Sequence, residues 1–198
     1  MNCESRQVKE LVSIRVYGQC LPKDFGGIAC YAYIIRNKEG HLLHEACGLA
    51  AEPNSQLSTN NIANYTALIK ALEWLISHGY EKDIITVKTS SKSLIAQLDD
   101  SYHLPDQMTR FSKNVVPLHN KTIKLKLRFY KLSFELISSS KANNDDDDDA
   151  CIDLDGKEVE ELAILAYVEA KEAIFRGNNN NNGQKTHFVT AAQLMRHR

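Results

Sequence analysis

Cysteine is scarce in this chain of 198 residues, and its spacing does not suggest pairs. The five cysteines are an odd number, and no two of them form a C-x-x-C pattern. This argues against a disulfide framework and against a zinc site. No run approaches the roughly 18 consecutive apolar residues that a membrane-spanning helix requires. The first ten residues are polar, so we expect no secretory leader. Together these absences favour a reduced, cytoplasmic, monomeric protein with no membrane partner.

An excess of charge of one sign is also missing. The formal net charge is −1, which gives no global attraction to nucleic acid or to a membrane surface. The charge is nevertheless uneven along the chain. Residues 1–140 carry 17 basic against 13 acidic side chains, and residues 141–198 carry 7 against 12. The first part of the chain is therefore mildly basic and the last part acidic.

Hydrophobic periodicity predicts three strands at the start of the chain. Residues 11–18 alternate between polar and apolar, a turn rich in glycine and proline follows, and residues 28–36 and 42–50 are apolar and β-branched. A helix is predicted next, because apolar residues recur at helical spacing from Ile62 to Ile76. Asn60 or Asn61 is the expected N-cap, and Gly79 the expected C-terminal glycine.

The second half of the domain continues with alternating strands and helices. Residues 84–88 predict a buried strand, and Ser90 or Ser91 is expected to cap a helix that extends to Leu98. Residues 112–130 have strand-like alternation at their end, yet their place in the order favours a helix. Residues 132–137 predict the last strand. The order indicates an α/β domain with a mixed sheet and helices on both faces.

Composition changes sharply after the last strand. Residues 138–155 are polar and acidic, and we predict a disordered insertion there. A helix with an apolar stripe is predicted from about residue 156. The expected organisation is a polar N-terminal segment, a single domain that includes the insertion, and an asparagine-rich linker with a basic tail. These parts comprise residues 1–10, 11–176 and 177–198.

Four segments resemble one known family. They read YGQCLPKDFGGIA (17–29), STNNIANYTALIKALEWLI (58–76), VKTSSKSLIAQL (87–98) and EVEELAILAYVEA (158–170). In this order they resemble the type 1 ribonuclease H family, particularly its short archaeal-type members, over residues 11 to about 175. The resemblance implies a ribonuclease H-like fold, with a five-stranded mixed sheet of three antiparallel strands followed by parallel strands.

The resemblance also implies a reaction, the two-metal hydrolysis of RNA in an RNA/DNA hybrid, in which four acidic residues hold Mg²⁺. Only one of the four matching positions is acidic here, and the other three have a phenol, an amide and a hydroxyl group that bring no charge at neutral pH. We therefore expect no catalytic residue, no metal and no cofactor, with Mg²⁺ or Mn²⁺ required only if the protein is active. The four positions are Tyr17, Asn64, Ser90 and Glu160.

An acidic run near the last helix offers a different source of metal ligands. Asp145–Asp149 precedes the helix that carries Glu160. Two-metal chemistry requires ligands held within about half an ångström of their productive positions. A solvated acidic loop is therefore the favoured interpretation of this run.

The residues that the resemblance assigns to hybrid binding are better preserved. One group stands where the family contacts phosphates and minor-groove edges, and the other where its backbone approaches the RNA strand. A helix N-terminus suits such contacts, because its free N–H groups and its dipole favour phosphate oxygens. Helix capping and turn formation also explain these residues, but binding is the favoured interpretation. The six positions are Gly18, Gln19, Cys20, Thr59, Asn60 and Asn61.

Three functions follow as hypotheses. The first is a ribonuclease H-like protein that binds RNA/DNA hybrid or structured RNA without cutting it. The second is an active ribonuclease with an unorthodox metal site, and the third is a protein–protein interaction module on the same fold. A basic stretch supports phosphate contacts but is also typical of a solvated face. It contains Lys121, Lys124, Lys126, Arg128 and Lys131.

Overall fold

A computed structural model of the chain describes residues 11–22, 26–98, 113–137 and 154–179. Within these ranges the chain forms five strands, four α-helices and one short 3-10 turn at Tyr80–Lys82. The strands are β1 (Leu11–Leu21), β2 (Ile28–Arg36), β3 (Leu42–Leu49), β4 (Ile84–Thr89) and β5 (Lys131–Leu136). The helices are α1 (Asn60–Ser77), α2 (Lys92–Leu98), α3 (Val116–Lys126) and α4 (Leu154–Asn179).

The strands form one mixed sheet in the order β3-β2-β1-β4-β5. β1 pairs antiparallel with β2, and β2 antiparallel with β3. β4 lies parallel to β1 on its other side, and β5 parallel to β4. The predicted sheet of three antiparallel strands followed by parallel strands is therefore confirmed.

Helices cover the two faces of the sheet unequally. α1, α2 and α3 pack on one face, around a core that includes Val12, Ile14, Leu68, Leu72 and Val87. α4 packs on the opposite face, over a second core formed by β2, β3 and small residues of the helix. Because side chains alternate along a strand, the residues of β1 between those of the first core face α4. None of the described helices combines the length and the apolar character needed to cross a membrane.

Several predicted boundaries were wrong by one to three residues. β1 continues to Leu21 rather than ending at residue 18, because Leu21 still pairs with Ile28. α1 begins after Thr59, whose hydroxyl accepts from the backbone N–H of Ile62, so neither Asn60 nor Asn61 is the N-cap. Ser91 is the residue that caps α2, since its hydroxyl accepts from the N–H of Leu94.

The last helix is longer than its pattern suggested at both ends. α4 begins at Leu154, inside the predicted insertion, and continues to Asn179, three residues into the predicted linker. Other expectations lie outside the described residues. These are the N-terminal segment 1–10, the rest of the insertion with Asp145–Asp149, and the tail from residue 180.

The ambiguous segment before β5 is a helix, as its position in the order had favoured. α3 ends at Lys126, and the alternation from Ile123 to Phe129 spans the helix end and the turn that follows it. Thr122 and Phe129 are buried, whereas Leu127 is exposed. The strand-like period therefore arose where a helix gives way to a turn.

Buried thiols and phenols make the free energy of unfolding depend on pH in the alkaline range. Burial, and then the neighbouring Cys47 thiol, raise the pKa of Cys30 to about 12. Burial raises the pKa of Cys47 to about 11 and that of Tyr31 to about 12. In the unfolded chain such groups lose their protons near pH 9 and 10, the ordinary values for a thiol and a phenol. The unfolded state then binds fewer protons than the folded state, so the free energy of unfolding falls as the pH rises.

We therefore expect full stability below about pH 9 and a progressive loss between about pH 9 and pH 12. Each such group costs about 1.4 kcal/mol for each pH unit above its unfolded pKa. Urea midpoints at a series of pH values measure this loss. The slope should be shallower for Cys47→Ala, which removes one of the thiols. A midpoint that stays constant across this range would contradict the burial of these groups.

Candidate nucleic-acid-binding site

The four predicted catalytic positions lie at the edge of the sheet that is formed by the carboxyl ends of β1 and β4. Tyr17 lies on β1 and packs partly against the α4 side of the sheet. β1 and β4 are in register up to Arg15 and Lys88, and Tyr17 and Ser90 each follow two residues later in the chain, with Ser90 just after the end of β4. Asn64 reaches β1 from α1 through a hydrogen bond to the Gly18 carbonyl. The remaining acid, Glu160, lies on α4 close enough to influence Tyr17 electrostatically.

Tyr17 keeps its proton at this edge. Burial, and then the negative charge of Glu160, raise the pKa of the Tyr17 phenol. Both effects disfavour the phenolate, the only form of tyrosine that would bring a negative charge to a metal ion. Tyr17 is therefore a hydrogen-bond donor at neutral pH rather than a charged ligand.

Asn64 has a structural role in the described part of the chain. Its side chain is only 8% exposed, and its amide nitrogen donates to the carbonyls of Asn60 (2.8 Å) and Gly18 (3.3 Å). One bond lies within α1 and the other ties α1 to β1. A carboxylate at this position would face two carbonyl oxygens, so the amide suits this environment and an acid does not.

These residues do not fit a pair of Mg²⁺ ions. Hard cations require several carboxylate oxygens, and this edge offers one acid together with a neutral phenol, a hydroxyl and an amide whose donors are engaged. Among the described residues, no cluster of three or more histidine, cysteine or acidic side chains is arranged to hold a metal. We derive no metal-dependent step for this site.

Gly18 allows α1 to approach β1 very closely. A Cβ atom on Gly18 would lie 2.3 Å from the backbone nitrogen of Asn64 and 2.5 Å from the carbonyl carbon of Ala63. Neither contact can be relieved by rotating a side chain, since both atoms belong to the helix backbone. The start of α1 therefore rests directly on β1 at the edge where the site lies.

Cys20 joins the same two elements further along β1. Its backbone N–H donates to Oδ1 of Asn60 at 2.5 Å, and its thiol donates to the carbonyl of Ser58 at 3.1 Å. The thiol is buried and faces the α1 side. The side chain of Cys20 thus serves the fold, and any contact of this residue with a ligand would come from its backbone.

The two asparagines at the start of α1 are oriented by bonds to the protein. Asn60 uses its oxygen for the backbone of Cys20, and Asn61 uses its oxygen for the hydroxyl of Ser93 at 3.2 Å. Both residues are exposed. Their amide NH₂ groups have no hydrogen-bond partner among the described residues, so each presents two donors to the surroundings.

Some residues at this edge were not predicted from the sequence. Ser58 and Ser93 hold the loop and the two helices together, and nothing in their local pattern distinguishes them from ordinary capping residues. Arg15 and Lys88 give a clearer signal, because each is a cation inside a buried strand pattern. Gln19 is one of the six predicted binding residues, but the sequence did not indicate that its amide nitrogen Nε2 is buried without a hydrogen-bond acceptor.

The predicted basic stretch is largely engaged within the protein. Lys121 pairs with Glu73, and Arg128 with Glu81, each at 2.7 Å. Lys126 donates to the carbonyl of Leu98 at 2.7 Å. The other two, Lys124 and Lys131, form no ion pair within the described ranges. This favours the solvated-face interpretation for most of the stretch.

Solved structures with the same fold include three ribonucleases H. The first is the N-terminal ribonuclease H domain of a Mycobacterium tuberculosis protein, with 17% identity, a TM-score of 0.63, and coverage of 84% of this chain and 99% of that one. The second is LC11-RNase H1, isolated from compost and solved with an RNA/DNA hybrid, with 22% identity, a TM-score of 0.61, and coverage of 81% and 99%. RNase H1 of Halobacterium salinarum gives 19% identity, a TM-score of 0.58, and coverage of 80% and 98%.

A family model matches the sequence itself. The model is described as reverse transcriptase-like, and it matches residues 23–143, more than half of the chain. At these identities the solved structures establish the fold alone, a ribonuclease H-like sheet with its helices. The sequence match and the fold agree, and the chain therefore belongs to the reverse transcriptase-like family, with a ribonuclease H-like structure.

Proposed function

We propose that this protein binds RNA/DNA hybrid, or structured RNA of similar shape, and does not cut it. In this proposal it is a catalytically degenerate relative of the archaeal-type ribonucleases H. The binding residues are the six named from the sequence, at the end of β1 and the start of α1. The nuclease positions Tyr17, Asn64, Ser90 and Glu160 have no catalytic role.

The observation that carries the proposal is the orientation of Asn60 and Asn61. The protein uses the amide oxygen of each, so their outward groups are donors. They stand in the first turn of α1, where the helix dipole also favours negative charge and where no acidic residue opposes it. Outward donors match the acceptors that a hybrid duplex displays, which are phosphate oxygens and the N3 and O2 atoms of the minor groove.

The missing acids support binding without hydrolysis. Two-metal hydrolysis requires carboxylates that hold both ions, and Asn64 is committed to two backbone carbonyls instead. An active enzyme with an unorthodox metal site would need its acids from outside the described residues, for which Asp145–Asp149 are the candidates. The hybrid bound to LC11-RNase H1, which shares this fold, adds support by analogy.

Fluorescence anisotropy with a labelled RNA/DNA hybrid in EDTA tests this proposal. We expect saturable binding that is tighter than for duplex DNA of the same sequence, because the RNA strand adds 2′-OH groups and an A-like shape. The affinity should fall as the salt concentration rises from about 50 to 200 mM, as it does when phosphates are contacted. Absence of binding at the lowest salt concentration would refute the proposal and favour the protein-interaction hypothesis.

A further inference from the structure

The α4-facing side chains at the end of β1 and β4 share one chemical property. Along β1 they are Arg15, Tyr17 and Gln19, and on β4 it is Lys88, with Ser90 following one residue after the end of the strand. A guanidinium, a neutral phenol, an amide, an ammonium and a hydroxyl all carry N–H or O–H donors. Tyr17 remains protonated because of burial and Glu160, so it too can donate. A group of donors suits an oxyanion rather than a cation.

The arrangement of these donors follows from the strand register. Arg15 and Lys88 are the last Cα partners of the parallel pair, and Tyr17 and Ser90 each follow two residues later in the chain. Two residues of a strand span about 6.6 Å, which is within reach of a lysine or arginine side chain that leans along its strand. Gln19 lies two residues beyond Tyr17 on β1, opposite Cys30.

Charges of both signs lie near this donor set. Lys88 stands 3.9 Å from Glu135, and Glu160 is close enough to raise the pKa of Tyr17. That separation makes Lys88–Glu135 a loose pair, with both side chains partly exposed. Lys88 can therefore turn towards an anion at small cost, since exposed ion pairs contribute little.

Gln19 follows Tyr17 on the same side of the sheet but does not join this donor set. Its amide nitrogen is buried and donates no hydrogen bond within the described part of the chain. Because solvent does not reach this atom, a phosphate outside the protein does not reach it in this structure either.

From this donor set we infer a metal-free phosphate site, at which Lys88, Ser90 and Tyr17 hold a backbone phosphodiester of the bound polynucleotide. Arg15, which is 5% exposed and lies two residues before Tyr17 on β1, contributes its positive charge. The inference rests on the proposed function and extends it, because it says how a phosphate is held at the edge where the acids are missing. The ligand class is a phosphodiester, bound directly by side chains.

The experiment compares the hybrid affinity of single variants in EDTA and in Mg²⁺. We expect Mg²⁺ not to strengthen wild-type binding, because it competes for the phosphates rather than linking them to the protein. Lys88→Gln should weaken binding roughly fivefold and lower the salt slope by about one. Glu135→Gln should strengthen binding, because it releases Lys88 from its loose partner. Lys38→Gln is the matched control, since Lys38 is exposed in the β2–β3 hairpin at the opposite edge.

Each outcome separates this inference from the proposed function. If the wild type binds hybrid but Lys88→Gln behaves like Lys38→Gln, the phosphate site is wrong and the proposed function stands. Binding that requires Mg²⁺ would also overturn the site. If the wild type binds no hybrid under either condition, the proposed function itself fails. Lys88→Arg should restore the salt slope, which shows that charge rather than folding accounts for the effect.

Discussion

Replacing Gly18 with alanine is expected to lower the free energy of unfolding by about 3 kcal/mol, at the upper end for an overpacked site. The added methyl group would stand 2.3 Å from the backbone nitrogen of Asn64, a separation that Cβ atoms do not tolerate. α1 would have to move away from β1, which would lengthen the bond from Asn64 to the Gly18 carbonyl. Urea denaturation measures the loss, and hybrid affinity should fall with it.

Gly40→Ala is the control for this substitution. Gly40 has φ +82°, so alanine there is strained by its backbone, but nothing lies within 4 Å of the added methyl group. Left-handed backbone costs an alanine about 1 kcal/mol. If the two variants lose equal stability, the close approach of α1 to β1 is not what requires glycine at position 18.

The double substitution Asn60→Asp/Asn61→Asp is expected to weaken hybrid binding at least about tenfold, while the fold remains intact. Aspartate keeps an acceptor oxygen for Cys20 and Ser93, the partners that the two asparagines have now. It replaces each outward NH₂ group with a negatively charged oxygen that repels phosphate, and 1.4 kcal/mol of repulsion is sufficient for this loss. Near the N-terminus of α1 the new charges should stabilise the helix slightly.

This variant is informative because its hybrid binding is expected to fall while the stability of α1 is expected to rise. If the asparagines serve only the fold, binding should not change while thermal stability stays equal or rises. Asn37→Asp is a matched control, because the Asn37 oxygen accepts from the His41 backbone at 2.8 Å in the hairpin at the other edge of the sheet. It makes the same chemical change to a partly exposed asparagine. We expect its hybrid affinity to match that of the wild type within about twofold, as for a charge beyond the screening length.

The strands and long helices could be predicted because each buries one regular face. α1 shows this best, since its apolar residues recur at helical spacing and lie against the sheet. Its first residue could not be predicted, because three consecutive residues are all good caps. Thr59 takes that role, and this leaves Asn60 to accept from Cys20, which lies 40 positions earlier in the chain. Such a choice is made by a tertiary contact that local preferences do not contain.

The site was predicted in part, and for a similar reason. The positions of Tyr17 and Ser90 follow from the matched segments, and the register of β1 and β4 pairs Arg15 with Lys88, two residues before each of them. The cations Arg15 and Lys88 were not assigned to the site, because their relation to each other depends on which strands are neighbours. The sequence does not indicate which way the amides of Asn60 and Asn61 point, nor that the nitrogen of Gln19 is buried.

The most direct test is to incubate the wild-type protein with hybrid that carries a label on its RNA strand. Samples contain EDTA, Mg²⁺ or Mn²⁺, and each is divided between a native gel and a denaturing gel. We expect a shifted complex and intact RNA in all three. RNA fragments that require Mg²⁺ or Mn²⁺ and disappear in Glu160→Gln would contradict this expectation. The chain would then be a working nuclease, and its remaining metal ligands should be sought first among Asp145–Asp149.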